Sequence, residues 1–390
     1  MAIPYVFNRL GISSAEITVT VHPTWGLYGV FTRDGDETIL TSGMTIFGQV
    51  LTYYTAQDMH VFRYGKATST VVNSGTYISA CAGAKVNHTT LNSAGSMYID
   101  SGAKIYGVDV KSSGFIRMYP GGEVSALHIS SGGKITIPSK ASVTGGTFNH
   151  CQEIYISGGA VLTNIDMVGM DVICSSAGSV RIASIGSSAG LLVSSGASAS
   201  ELTVLSGGVV STCSTGIVSG VDLSSGAILA VYNGGAQQVT AAEGADIRFS
   251  VLGDQAFISG SGYRGEFSLV SGSASGFDVY NHRTSVYYGC RADSFIVHSG
   301  GEMVVDVGGS GSGNVLAYNA SAAVKSGGCM TDTAISSGGR MYISAYGVAN
   351  GVTVSSGARL YVSSGGTATS VSVLDGGEVI RAEGAVVEIL

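Results

Sequence analysis

The sequence predicts an all-β fold: a single-stranded, right-handed β-solenoid, or β-helix, of roughly 19-residue rungs behind a small N-terminal β-rich cap or docking domain. Three observations carry that prediction. Apolar and polar residues alternate in short runs, as in SGARLYVSSGGTATSVSVLDGG at 356–377. Glycine closes each run at a constant phase, and the whole pattern repeats at a fixed step.

The step is read by aligning columns. Met341-Tyr342-Ile343 returns as Leu360-Tyr361-Val362, 19 residues later. Val352-Thr353-Val354 returns as Val371-Ser372-Val373 at the same step, and Leu390 falls in the column of Val352 and Val371. Turn glycines agree at Gly338, Gly357 and Gly376, and upstream at Gly83, Gly102 and Gly121 and at Gly207, Gly226 and Gly244. The region 250–310 keeps phase through Gly234, Gly253, Gly272, Gly289 and Gly308. Each unit thus holds two short strands closed by glycine turns. One unit cannot bury its apolar face alone, whereas stacked units can. Stacked as in-register parallel strands about 4.8 Å apart, residues from about 61 onward make roughly 17 turns.

Alternation then assigns the side chains. Leu360, Val362, Val371 and Val373 point inward; Thr353, Ser372, Asp109, His128 and Asp222 point outward. Glycine suits the corners because tight turns often demand positive φ. Ser-Ser pairs at 130–131, 194–195, 224–225, 336–337, 355–356 and 363–364 precede many corners, where stacked serines bond turn backbone. Arg381 falls in the inward column of Ile343 and Val362, which predicts a local register change and a less regular last turn.

Composition excludes several classes. Charged residues make up 12% of the chain, about half the usual fraction, while glycine, at 59 residues, is about double its usual share. Ample Val, Ile and Tyr argue against disorder, and the absence of a Gly-X-Y triplet excludes collagen. A net charge of −7 and the lack of any basic run argue against a nucleic-acid partner. No apolar stretch reaches the ~18 residues of a membrane helix. The start, MAIPYVFNRLGISSAE, lacks the marks of a secretory signal, which leaves residence inside the cell, signal-independent export or earlier processing. Six scattered cysteines without a CxxC pair read as buried thiols, and no cofactor or metal is expected.

Repeats such as ISSGGRMYISAYGVANGVTVSSGARLYVSSGGTATSVSVLDGG (335–377) resemble the 19-residue repeats of AIDA-type autotransporter adhesins. The shared features are SSGG, a short apolar strand, a second glycine among small residues, and a V-x-V strand. The resemblance spans roughly residues 65–390. It implies a surface-exposed β-solenoid passenger that mediates adhesion, aggregation or biofilm formation, in some members with sugars on repeat serines and threonines. This sequence departs from the family pattern in showing no recognisable signal peptide and no ~10-residue alternating segments of the translocator-barrel kind, so the resemblance carries no expectation of self-transport.

Residues 1–60 lack the period and read as the cap or assembly domain, with 61–390 as the solenoid. Strands are expected in EITVTVHP (16–23), GLYGVFTRDGDETILTSG (26–43) and FGQVLTYYTAQDMHVF (47–62), with RDGDET as a hairpin tip. A cap protects an exposed strand edge; an assembly domain would dock on a neighbouring subunit. At the other end Val386, Val387, Ile389 and Leu390 close the chain inside a strand. Together with Trp25 in the N-terminal region, they are candidates for head-to-tail stacking, a heterologous contact that propagates into a filament. Tyr342 and Tyr361 stack in one outward column, with Tyr98 in the same place in its own turn, and are candidates for lateral self-association. Aromatics also crowd 263–295 (Tyr263, Phe267, Phe277, Tyr280, Tyr287, Tyr288 and Phe295), as packing, protein contact or sugar-stacking groups.

A catalytic reading needs clustered acids on one face. The best local pair is Asp109 with His128, one turn apart; Asp166 with Asp171 and Asp246 with Arg248 form no constellation. No HExxH, GxSxG, P-loop or GGxGxD pattern occurs, and DGD at 34–36 lacks the other ligands of a calcium loop. The expectation is therefore a non-enzymatic, self-assembling fibre subunit or adhesin, extracellular or on the cell surface, with copies of itself and surface glycans or proteins as partners. The alternative is a tailspike-like or lyase-like β-helix that binds or degrades polysaccharide.

Overall fold

Residues one repeat apart in sequence become neighbours across parallel strands. In the computed structural model Met341 pairs with Leu360 and Ile343 with Val362, and Val108 pairs with Leu127. The structure describes residues 21–22, 26–27, 30–33, 37–40, 45–47, 50–51, 58–152, 154–250 and 256–390. Among these every regular element is a strand. The chain is a β-solenoid of about 17 turns at roughly 19-residue spacing. It divides into two compact units, Met1–Leu191 and Leu192–Leu390.

In the first unit Asp58–Val61, Tyr77–Ala80, Ser96–Ile99, Phe115–Met118 and Lys134–Thr136 stack in parallel as one sheet. The seven- and eight-residue strands Lys85–Leu91, Lys104–Val110, Glu123–Ile129, Ser142–Asn149 and Val161–Val168 stack as another. These long strands do not alternate evenly; Lys85–Leu91 runs exposed, buried, intermediate, exposed, buried, intermediate, buried. The break has one cause. His88, Gly107, Ala126, Gly145, Asn164 and Ile182 stand in successive turns with φ between 49° and 74°, in the left-handed region. One such residue bends the strand and resets which side faces inward, so a single long strand covers two faces of the coil.

The second unit has a bend column of its own, through Glu201, Gly220, Gln238, Gly276, Ser294, Gly313, Asp332, Gly351 and Ser370. From Gly276 to Gly351 the bend separates the strands outright, and a turn reads as three: Arg340–Ile343, Val348–Asn350 and Thr353–Val354; at Ser370 one strand, Thr367–Val373, again runs through it. The two strands per repeat expected from sequence are therefore three faces, because the extra corner is not reserved for glycine.

The other corners are built as expected, with φ of 72°, 71° and 81° at Gly338, Gly357 and Gly376. Just past the strand end Ser363 N–H donates back to Ile343 O of the earlier turn at 2.9 Å. At corners the earlier donates to the later: Gly289 to Gly308, Gly308 to Gly327, Gly327 to Tyr346, and Tyr346 to Gly365, at 2.9–3.0 Å. Serine closes over these glycines. A Cβ at Gly226 would lie 2.8 Å from Ser206 Oγ, and one at Gly376 would lie 2.6 Å from Ser356 Oγ.

Columns of Ile78, Met97 and Ile116, and of Met341 and Leu360, are fully buried. Each such side chain contributes roughly 1.5–3 kcal/mol by leaving water. Val373, expected inside, is only half-buried. Leu390 does not lie under Val371; Ile389 does, because between the partners of Ala368 and Val371 the final strand has one residue, Glu388, where the turn before has two, Thr369 and the bend residue Ser370. Arg381 keeps register with Val362, so the irregularity falls in the next strand and not at the arginine.

One turn departs from the coil. Residues Phe257–Gly262 stack in parallel on Gly235–Ala241, then reverse into Gly265–Val270 and again into Ser273–Ser275 before stacking resumes. The phase seen at 250–310 thus hides an antiparallel meander; Gly253 lies outside the described residues. Under it Phe249, Phe267, Phe277 and Phe295 pack with ring centroids 4.3–6.0 Å apart. Upstream, Glu37–Leu40 pairs with Asp58–Val61, and Thr45–Phe47 and Val50–Leu51 pair with the next turn, so parallel stacking extends above residue 61. Val30–Arg33 and Glu37–Leu40 form the hairpin expected around RDGDET.

Ile182 is the one β-branched residue in the bend columns, at φ 49° and 46% exposed. A β-branched side chain there is strained by about 1–2 kcal/mol. Ile182→Asn, matching Asn164 one turn earlier, is expected to stabilise the protein by about 1 kcal/mol, read as a raised urea midpoint.

Candidate functional site

Six turns of the second unit present one regular outer face. Arg283–Val286, Glu302–Val305, Ser321–Val324, Arg340–Ile343, Arg359–Val362 and Glu378–Arg381 stack in register. Alternation sends the second and fourth residue of each inward, leaving two outward columns. One reads Arg283, Glu302, Ser321, Arg340, Arg359, Glu378; the other reads Ser285, Val304, Ala323, Tyr342, Tyr361, Ile380.

The first column is paired within the chain. Arg283 Nε donates to Glu302 Oε2 at 2.7 Å, and Arg359 Nε to Glu378 Oε2 at 2.9 Å. These pairs are open to water, so each adds little stability. Bonding to Tyr361, then to Glu378, raises the pKa of Arg359 above its ordinary value. Arg340 forms no ion pair among the described residues and stands against Arg359. The second column differs in height along its length. Val304 and Ala323 are 3% and 7% exposed, below the level of their neighbours, whereas Tyr342 and Ile380 are 41% and 38% exposed. The Tyr342 and Tyr361 rings stack at 4.8 Å and 10°.

The structure therefore brings Tyr342 and Tyr361 together as expected from their column. Tyr98 makes a different contact, edge-on to Tyr77 at 5.4 Å. Val386, Ile389 and Leu390 are exposed and Val387 is half-exposed, all in or beside the final strand. Trp25 lies outside the described residues. Asp109 is in register with His128, but the His128 imidazole lies against Thr147 Oγ1 at 3.0 Å on the following turn.

A second cluster, not gathered by sequence reasoning, surrounds the meander. Asp278 Oδ1 lies 2.6 Å from His298 Nε2 and accepts from Arg264 Nη1 at 3.3 Å and Tyr263 Oη at 3.4 Å. Tyr280 stacks on His298 at 4.3 Å and 9°. Burial, then hydrogen bonding to Tyr263, raises the Tyr280 phenol well above its usual pKa. Asp246 takes Arg248 Nε at 2.8 Å and faces His282 Nδ1 at 2.9 Å, close but poorly aligned for a hydrogen bond. His282 Nε2 reaches Thr284 Oγ1 at 3.2 Å, giving the order of a hydrolytic relay. Thr284 is fully buried, so no substrate can meet its hydroxyl. These contacts tie the meander's tip and its flanking turns to the coil.

Outside the meander an open groove of about 770 Å³ is lined by Gln238, Thr240, Ser261, Glu266 and Ser275 among others. It carries one carboxylate and hydroxyls, short of the acid pair that glycoside hydrolysis requires. The cysteines are free thiols among the described residues. Burial pushes Cys151 up to about 11 and Cys174 up to about 12, away from reactivity.

No protein-family model matches the chain, and no curated protein does. Among solved structures the chain is similar to a TibC-catalyzed hyper-glycosylated TibA55-350 fragment, at 23% identity over 88% of this chain and 99% of that one, TM-score 0.33. It is also similar to PfbA, a surface adhesin of Streptococcus pneumoniae, at 8% identity over 85% and 82% of the two chains, TM-score 0.15. Superpositions this loose say nothing about what this chain binds.

Burial alone would raise the Asp246 pKa, but His282 and Arg248 outweigh it and hold the carboxyl below its ordinary value. A depressed carboxyl stabilises the fold above its unfolded pKa of about 3.9, and that contribution is lost as pH falls through the folded value. Asp246→Asn is expected to cost about 2 kcal/mol at pH 7 and to flatten the acid limb below pH ~4, read from urea midpoints across pH.

Proposed function

We propose that this chain is an extracellular or cell-surface structural protein that works without catalysis, through self-association. Two copies pair antiparallel across the face formed by the six turns from Arg283 to Glu378. The resemblance of the repeats to adhesin passengers supports the location. The observation that supports the pairing is the order of the outward columns.

Consider two such faces brought together by a two-fold axis parallel to the strands. Each column then meets itself in reverse order. Arg283 meets Glu378 of the second copy, Glu302 meets Arg359, and Ser321 meets Arg340. Every charge opposite a charge is of opposite sign. Because Arg283 already touches Glu302 and Arg359 touches Glu378, each junction becomes a two-by-two alternating lattice. The unpaired Arg340 comes diagonally beside Glu302 of the second copy. The neighbouring column matches in height: Ser285 meets Ile380, Val304 meets Tyr361, and Ala323 meets Tyr342, low against high each time.

Six turns span about 24 Å at the stacking distance of parallel strands. That is a modest interface, so a weak, salt-sensitive dimer is the natural product. The contact is isologous and closes at two. End-to-end stacking through Val386, Val387, Ile389 and Leu390 would instead add copies without limit.

Charge swapping tests the pairing. Arg283→Glu with Arg359→Glu makes an acidic column, and Glu302→Arg with Glu378→Arg makes a basic one. Each variant alone is expected to sediment as a monomer where the unaltered protein dimerises, and an equimolar mixture is expected to restore the dimer. Deleting 386–390 should leave it unchanged. Variants that dimerise alone, or a mixture that stays monomeric, would refute the proposal.

A further inference from the structure

The first unit holds a column of a different kind. Lys85 is in register with Lys66 on one side and with Lys104 on the other, and Glu123 follows Lys104. Three of the chain's seven lysines thus stand one above another, about 4.8 Å apart, in a protein of net charge −7. Among the described residues no ion pair engages any of the three. Like charges directly opposite one another on neighbouring strands destabilise a sheet. Flexible side chains soften that repulsion but do not turn it into attraction.

The surroundings suit a ligand. Asn87 and Tyr106 form the adjoining column, with Thr68 before them and Ser125 after. Tyr106 is 53% exposed, with the His88 ring edge-on to it at 5.6 Å. Lys85, Asn87, Lys104, Tyr106, Glu123 and Ser125 line a shallow depression of about 210 Å³. At the corner leading into these strands Arg63 lies over the Tyr64 ring at 4.8 Å, and its stem crosses Gly83 on the next turn, two residues before Lys85.

We propose that the Lys66–Lys85–Lys104 column binds an acidic oligosaccharide, its carboxylates or sulfates spanning successive lysines. Amide and hydroxyl groups of Asn87 and Ser125 meet sugar hydroxyls, and the Tyr106 ring offers an apolar surface with a polar tip. Nucleic acid is the poorer fit. Its charge is packed at one per about 1.7 Å of duplex axis, and its binders are strongly basic, whereas this chain has a pI near 5.4. The inference rests on the first unit alone and is independent of the pairing proposed for the second.

The test is binding of the full chain to immobilised polygalacturonate and dextran sulfate, with neutral dextran and a single-stranded oligonucleotide as the other arms. Both acidic glycans are expected to bind, and added salt to weaken them. The combined variant Lys66→Gln, Lys85→Gln, Lys104→Gln should lose at least about tenfold in affinity. Its melting temperature should match or exceed that of the unaltered protein, since a repulsive column has been removed. Tyr106→Ala should weaken binding with the lysines intact, and Lys325→Gln, in the other unit, should leave it unchanged. Equal binding to neutral dextran, undiminished binding by the lysine variant, or preference for the oligonucleotide would overturn the proposal.

Discussion

Along the regular turns each residue faces its counterpart one repeat on. The parallel ladder fixes neighbouring strands about 4.8 Å apart in register, so a side chain's nearest neighbour across the strands lies one repeat away. That single constraint sorts the sequence. Apolar residues gain from the arrangement, since Met341 under Leu360 extends one continuous core. Small hydroxyls and glycines tolerate it, which is how Ser206 comes to lie over Gly226. Charge is the case that must be managed, because an unchanging column of one sign repels itself. The scarcity of charged residues in this chain follows from the geometry before any question of function arises.

Where charge does occur, it is handled in two ways. On the face from Arg283 to Glu378, sign changes between adjacent turns at both ends, so Arg283 and Arg359 find acids within the chain. In the first unit, Lys66, Lys85 and Lys104 keep one sign for three turns and find none. At its two ends this column pairs within the chain, and turned end for end it sets each of those four charges against one of opposite sign. A uniform column is incomplete and is matched only from outside. The two patterns underlie the two proposals: a second copy as partner in the first case, an extended anion in the second.

The core and the corners were legible because they repeat. Leu360 and Val362, and the turn glycines at 338, 357 and 376, are fixed by the period together with the need for positive φ. The third face was not, since its bend is held by whichever residue stands there, including His88, Ile182, Glu201 and Gln238, and no composition marks it. The meander escaped for a related reason. From Gln238 to Gly276 the bend column skips 38 residues, two repeats, so the glycine phase resumes close to its old step across an irregular segment. The stacking of Tyr342 on Tyr361 followed from their column, whereas His282 beside Asp246 and His298 beside Asp278 came from that irregularity. The lysine column was present in the numbering at 66, 85 and 104, yet it forms no run along the chain. In a solenoid the relevant neighbour is one turn away, and a search for adjacent basic residues looks along the wrong axis.

The meander also shows what the ladder demands of any interruption. Two additional strands, Phe257–Gly262 and Gly265–Val270, enter one sheet between Gly235–Ala241 and Ser273–Ser275, and one of them runs backwards. The ladder survives because each new strand is itself paired on both sides, leaving no backbone row open within the sheet. The cost moves to the interior, where phenylalanines at 249, 267, 277 and 295 fill a space that regular turns fill with smaller residues. It moves also to the outside, where Asp278 collects His298, Arg264 and Tyr263 to hold the tip. Polar groups of long reach concentrate here because repetition no longer supplies each residue with a like neighbour. Specific pairing takes over where stacking stops.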